Sequence, residues 1–70
     1  MIKCNLSELM GKEKIRSISN LSRETGISRV TLHELYHDKN KAIRFETIET
    51  LCRYFNCEVG DLLEYEEKGE

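Results

Sequence analysis

The 70 residues contain no proline. A chain without the residue that breaks helix interiors leaves its helices free to run, and here the apolar residues recur mostly at helical spacing, so a compact all-α bundle is expected. Long hydrophobic stretches are missing as well. The opening residues, Met1 to Asn5, lack the apolar run of a signal peptide, and no segment approaches the roughly 20 apolar residues of a membrane span, so a cytoplasmic protein is expected. Cysteine is scarce and odd in number. Without a secretion signal, Cys4, Cys52 and Cys57 read as reduced thiols and not as a disulfide framework, and the lack of a C-x-x-C pair counts against structural zinc. Free cysteine packs as a small hydrophobe, and helical spacing puts Cys52 on a buried side. There is no internal linker either. The reading is one domain, residues 1–65, followed by an acidic tail, residues 66–70; a chain of this size buries only about 60 to 65% of the surface it exposes when unfolded, so its core must be small.

Charge is not short, but it is unevenly placed. The net charge of −2 would count against a polyanionic partner only if it were spread evenly. Up to Arg44 there are nine Lys and Arg against five Asp and Glu, giving +4, whereas from Phe45 onward two bases face eight acids, giving −6. A basic front and an acidic rear suit contact with phosphate, because local potential and not total charge governs it.

The stretch from Ile18 to His37 organises the rest. Its apolar residues Ile18, Leu21, Ile27, Val30, Leu32 and Leu35 fit two short helices, not one long one, with Gly26 between them. Glycine can take the left-handed conformation that ends a helix, and Ser28 two residues later is a good N-cap for the next. Helix, tight turn and capped helix within so few residues is the geometry that sets a helix into the major groove of DNA. The first helix of the pair is read as about 19–24, capped by Ser17 or Ser19, and the second as about 29–37. On the second, Leu32, Leu35 and Tyr36 cluster inward while Arg29, Val30, His33, Glu34 and His37 spread over the opposite face.

Around this pair, Asn5 is expected to cap a helix of about 5–13 carrying Leu6, Leu9 and Met10, with Glu8 completing a capping-box pattern. Residues 37–43 break the periodicity and read as a loop. A helix of about 45–55 follows, with Ile48, Leu51, Cys52 and Phe55 inward and Asn56 suited to a left-handed end. A brief helix of about 59–63 completes the set. Leu63 and Tyr65 alternate with polar neighbours as Ile2 and Cys4 do, which offers the two termini a small strand pair. The expected core is Leu21, Leu32, Leu35, Ile48, Leu51 and Phe55.

One motif invites a different chemistry. His33-Glu34-Leu35-Tyr36-His37 spells H-E-x-x-H, whose helical spacing puts two imidazoles on one face as zinc proteases require. A catalytic site needs a third ligand set by further architecture, and so short a chain has no substrate cleft. Both histidines are therefore read as surface residues. No metal, no cofactor and no enzymatic activity are expected.

Leu21-Ser22-Arg23-Glu24-Thr25-Gly26-Ile27-Ser28, with Leu32 and Leu35, resembles the helix-turn-helix of the Cro and phage-repressor type, also called the xenobiotic-response-element family. The likeness extends through Arg44-Phe45-Glu46-Thr47-Ile48-Glu49-Thr50-Leu51-Cys52 and Cys57-Glu58-Val59-Gly60-Asp61-Leu62-Leu63, which are similar to the fourth and fifth helices of its small bacterial members. The resemblance implies a five-helix lambda-repressor-like fold and a sequence-specific regulator of transcription, a repressor that binds double-stranded DNA as a dimer. By position it implies base contacts from Arg29, Val30 and Glu34, and His33 lies between them on the helical wheel. Ser19 and Ser28 at helix starts, with Lys39, Lys41 and Arg44 around the loop, are candidates for the phosphate backbone. Arg44 matches an arginine that some relatives direct toward the minor groove. Where the family often has glutamine this chain has Ile18, which removes one phosphate or base contact. A second class of function also fits the charge pattern: a protein-interaction module, antitoxin-like or an anti-repressor subunit, using the acidic segment from Glu58 to Glu70 against a basic partner.

Overall fold

The computed structural model describes residues 2–37, 39 and 42–67. Its elements run β1 (Ile2–Cys4), α1 (Leu6–Lys12), α2 (Ile18–Thr25), α3 (Arg29–Tyr36), α4 (Phe45–Phe55), α5 (Val59–Leu62) and β2 (Leu63–Tyr65). Each helix boundary falls within a residue of its position read from the sequence. The expected terminal strand pair is present and antiparallel, with Ile2 opposite Tyr65, Lys3 opposite Glu64 and Cys4 opposite Leu63.

Leucine builds the centre. Leu6 from α1, Leu21 from α2, Leu32 and Leu35 from α3, Leu51 from α4 and Leu62 from α5 are each exposed by no more than 1%. One side chain type with few preferred rotamers thus joins all five helices, and Cys4, Met10 and Phe55 fill the remaining space. Of the six residues expected inside, five are buried, whereas Ile48 is only partly covered and packs against the core's edge. Tyr36 departs further from the expectation: it is 39% exposed. It stands at the margin of α3, lining a shallow groove with Met10, Ile15 and Ile18, so that its ring covers apolar surface while its polar end can stay wet.

The start of α1 differs from the expected capping box. Asn5 makes no side-chain bond to its own helix. Strand pairing brings residue 5 against the corner between α5 and β2, where its N–H donates to the Leu62 carbonyl at 2.7 Å and its Nδ2 donates to the Asp61 carbonyl at 3.3 Å and to Glu64 Oε1 at 3.2 Å. Asn5 therefore ties the two ends of the chain together. The far end of α1 closes by a Schellman turn, with Ile15 N–H on the Met10 carbonyl at 2.8 Å and Lys14 N–H on that of Gly11 at 3.1 Å. Its left-handed residue is Lys14, at φ 60. At the end of α4, Asn56 takes the same conformation, as its type suggests, at φ 53 and ψ 51.

Candidate nucleic-acid interface

The helix pair is held by its turn. α2 stops where Gly26 turns left-handed at φ 79 and its N–H reaches the Ser22 carbonyl at 2.8 Å. A Cβ there would meet nothing within 4 Å, so conformation and not space calls for glycine. Side chains then satisfy the turn. Ser22 Oγ donates to the Ile27 carbonyl at 2.5 Å, and Thr25 Oγ1 donates to the Leu21 carbonyl at 2.7 Å while accepting the Ile27 N–H at 3.2 Å. Ser28 caps α3, accepting from the Thr31 N–H at 3.2 Å and donating to Thr31 Oγ1 at 2.9 Å. At the head of α2 the cap is Ser17, which accepts from the Asn20 N–H at 3.2 Å. Ser19 is thereby left exposed in the first turn.

α2 is also braced from behind. Tyr54 on α4 donates its hydroxyl to Glu24 Oε1 at 2.5 Å. That bond, followed by partial burial and the nearby Glu24 and Glu13 charges, raises the tyrosine above its ordinary value. Arg23 pairs with the Asn20 side chain one turn earlier.

Against this frame α3 presents its outer face. Arg29, Val30, His33 and Glu34 are all exposed, Val30 by 70% although it is apolar. Together with Ile18 and Ser19 of α2 they line one open concavity of about 480 Å³. The four residues expected at bases and one of those expected at phosphate thus share a single surface, to which Ile18 adds an apolar side chain. Ser28 and Arg44 sit apart from it. They line a second groove of about 470 Å³ beside the turn, with Thr25, Gly26, Thr31, Thr47 and Glu46. Lys39 lies beyond the end of α3, where its backbone N–H meets the Glu34 carbonyl at 2.8 Å, and its side chain is exposed. Lys41, the remaining phosphate candidate, lies outside the described residues.

His33 and His37 meet with ring centres 4.5 Å apart and planes tilted by 55°, and Tyr36 meets His37 edge-on at 5.1 Å. Among the described residues, no group of three or more His, Cys, Asp or Glu is placed to hold a metal ion. Around the turn, two further features are absent from the sequence expectations. The Ser22 and Thr25 staples could have been inferred from hydroxyl residues flanking a turn glycine. Glu46 had no such signal: counted with the acidic half of the chain, it lies beside Ser28 and Arg44 at the turn.

A helix with an unburied face, held by a stapled turn against a second helix in a five-helix bundle, defines a helix-turn-helix DNA-binding domain. The chain belongs to the Cro/C1-type helix-turn-helix DNA-binding domain family, whose sequence model matches residues 5–68. It is similar to the uncharacterized HTH-type transcriptional regulator YozG of Bacillus subtilis (strain 168), with 39% identity over 61 residues that make up 87% of this chain and 71% of that one. No solved structure matches it. No helix among the described residues is long and apolar enough to cross a membrane.

Proposed function

We propose that the protein is a sequence-specific transcriptional repressor that binds double-stranded DNA as a homodimer, with α3 of each copy in the major groove. The observation that carries this reading is the outer face of α3: a polar and charged surface centred on one exposed valine, which packing within the domain does not explain. Arg29 presents a planar fork suited to guanine O6 and N7, Val30 an apolar surface for a thymine methyl, Glu34 an acceptor for the cytosine amino group, and His33 a donor or acceptor between them. Ser19, Lys39, Lys41 and Arg44 contact phosphates. At Ser28 the hydroxyl is engaged in capping, so its contribution is the positive helix start that it organises. Two copies related by a two-fold axis read two half-sites, because a single reading helix spans only a few base pairs. No catalysis, cofactor or small-molecule substrate enters this function, and residues 1–65 act as one unit.

Selection of bound duplexes from a random pool tests the proposal. The expected result is an inverted repeat, bound by two copies, with affinity that falls steeply as salt rises because neutralised phosphates release counterions. No retention of duplex DNA even at low salt would overturn it and favour a module that uses the acidic segment Glu58–Glu70 on a basic protein partner.

A further inference from the structure

The turn that ends α4 places two cysteines against each other. In a Schellman turn the third residue from the helix end and the second residue past it bring their side chains together, usually as an apolar contact. Here those positions are Cys52 and Cys57. The Cys57 N–H reaches the Cys52 carbonyl at 2.9 Å, and the Asn56 N–H reaches that of Arg53 at 3.3 Å. Beyond burial, the neighbouring Cys52 also helps to push the Cys57 thiol up. Both are free and half-buried, packed on the rim of the core, whereas Cys4, the last residue of β1, is buried in the core itself. We infer that Cys52 and Cys57 form a modification site, a dithiol that closes to an intrachain disulfide when it meets a small disulfide oxidant such as oxidised glutathione.

The exchange balances as two displacements. The Cys52 thiolate attacks one sulfur of the oxidant, which leaves a mixed disulfide on Cys52 and expels one glutathione thiolate; Cys57 then attacks the Cys52 sulfur and expels the second. Two protein thiols are oxidised by two electrons, one glutathione disulfide is reduced to two thiols, and the two cysteine protons pass through solvent to the departing thiolates. The order follows from the surroundings. Burial, then the neighbouring Cys52 and Asp61, push the Cys57 thiol up, against a smaller opposing pull from Lys12, so Cys57 suits the second, intramolecular step, where proximity offsets its low thiolate fraction. The turn already sets Cys57 beside Cys52 in the reduced chain, through the Cys57 N–H on the Cys52 carbonyl. None of the residues lining the α2–α3 concavity takes part.

The test uses the full chain, incubated with oxidised glutathione, trapped with an alkylating reagent and digested with trypsin. Cleavage after Arg53 separates the two cysteines, so a bond between them appears as a cross-linked peptide pair. The expected product is Cys52 linked to Cys57, reopened by reduced glutathione, with Cys4 alkylated only after unfolding. Cys57→Ser should stop at a stable glutathione adduct on Cys52, and Cys52→Ser should react with glutathione disulfide at least several-fold more slowly than wild type; dichroism checks that both variants fold. A persistent glutathione adduct on wild-type Cys52, a cross-link that includes Cys4, or no reaction by a chain whose denatured form reacts readily would each overturn the inference.

Discussion

Lys14 holds a backbone conformation that costs a residue with a Cβ about 1 to 2 kcal/mol relative to the right-handed region, and it does so at φ 60 because the end of α1 must reverse within two residues. Glycine meets that requirement without the steric cost. Lys14→Gly should therefore stabilise the fold by roughly 1 kcal/mol, somewhat less than the strain relieved because glycine also loosens the unfolded chain. The check is a higher urea midpoint at unchanged slope; an equal or lower midpoint would mean that the lysine side chain contributes more than the strain removes. If α3 reads bases as proposed, Arg29→Ala should cost about 1 to 3 kcal/mol of binding and flatten preference at one symmetric base pair of each half-site, while Lys41→Ala should weaken all sequences alike and reduce the salt slope by about one unit. Equal loss on every operator variant for Arg29→Ala would refute its reading role. Gly26, Ser28 and Asn56 were legible in the sequence because glycine, serine and asparagine favour the conformations they adopt. Lys14 and Asn5 were not. Lysine carries no left-handed signal, and the amide of Asn5 serves a corner 56 residues away instead of the helix that begins beside it.

At the scale of elements, the α2–α3 pair depends on one turn and one brace. Gly26→Ala introduces no clash, so its whole cost is conformational, about 1 to 2 kcal/mol, and Gly26→Asn should cost less because asparagine tolerates the left-handed region. Equal midpoints for the alanine variant and the wild type would show that the turn relaxes to another conformation. The Tyr54–Glu24 bond that joins α4 to α2 makes a claim about pH. A phenolate cannot donate and would face a carboxylate, so folding holds the Tyr54 proton more tightly than the unfolded chain does. The stability that this adds is complete below the ordinary tyrosine value near pH 10 and is lost as pH rises through the raised one. Wild type should exceed Tyr54→Phe in denaturant midpoint at neutral pH, and the difference should shrink above about pH 10. Titration of Cys57 is common to both chains and cancels. A pH-independent difference would show that the bond adds nothing. Helix order and limits were readable because apolar periodicity and cap residues are local signals. The brace spans 30 positions and leaves no local trace.

At the scale of the molecule, the division between a basic front and an acidic rear was read from sequence by halves, and the fold revises it at one residue. Glu46 belongs to the acidic half but lines the groove that holds Ser28 and Arg44, where the proposed function places a DNA phosphate. One carboxylate about 7 Å from a phosphate in water repels it by roughly 0.6 kcal/mol, and that repulsion fades once the screening length falls well below 10 Å. Glu46→Gln should therefore tighten DNA binding a few-fold at low salt and lose the advantage at high salt, without reordering operator variants, because phosphate contacts carry no sequence information. Glu67→Gln makes the same change in net charge from the exposed segment after β2. If local potential governs binding, that variant leaves affinity nearly unchanged across the salt range. Measured together by fluorescence anisotropy on one operator, the two variants separate place from total charge. Equal gains would mean that only net charge matters and that the groove beside the turn does not face the backbone. A loss of affinity in Glu46→Gln would show that this carboxylate instead holds Arg44 or the turn in the orientation that binding needs.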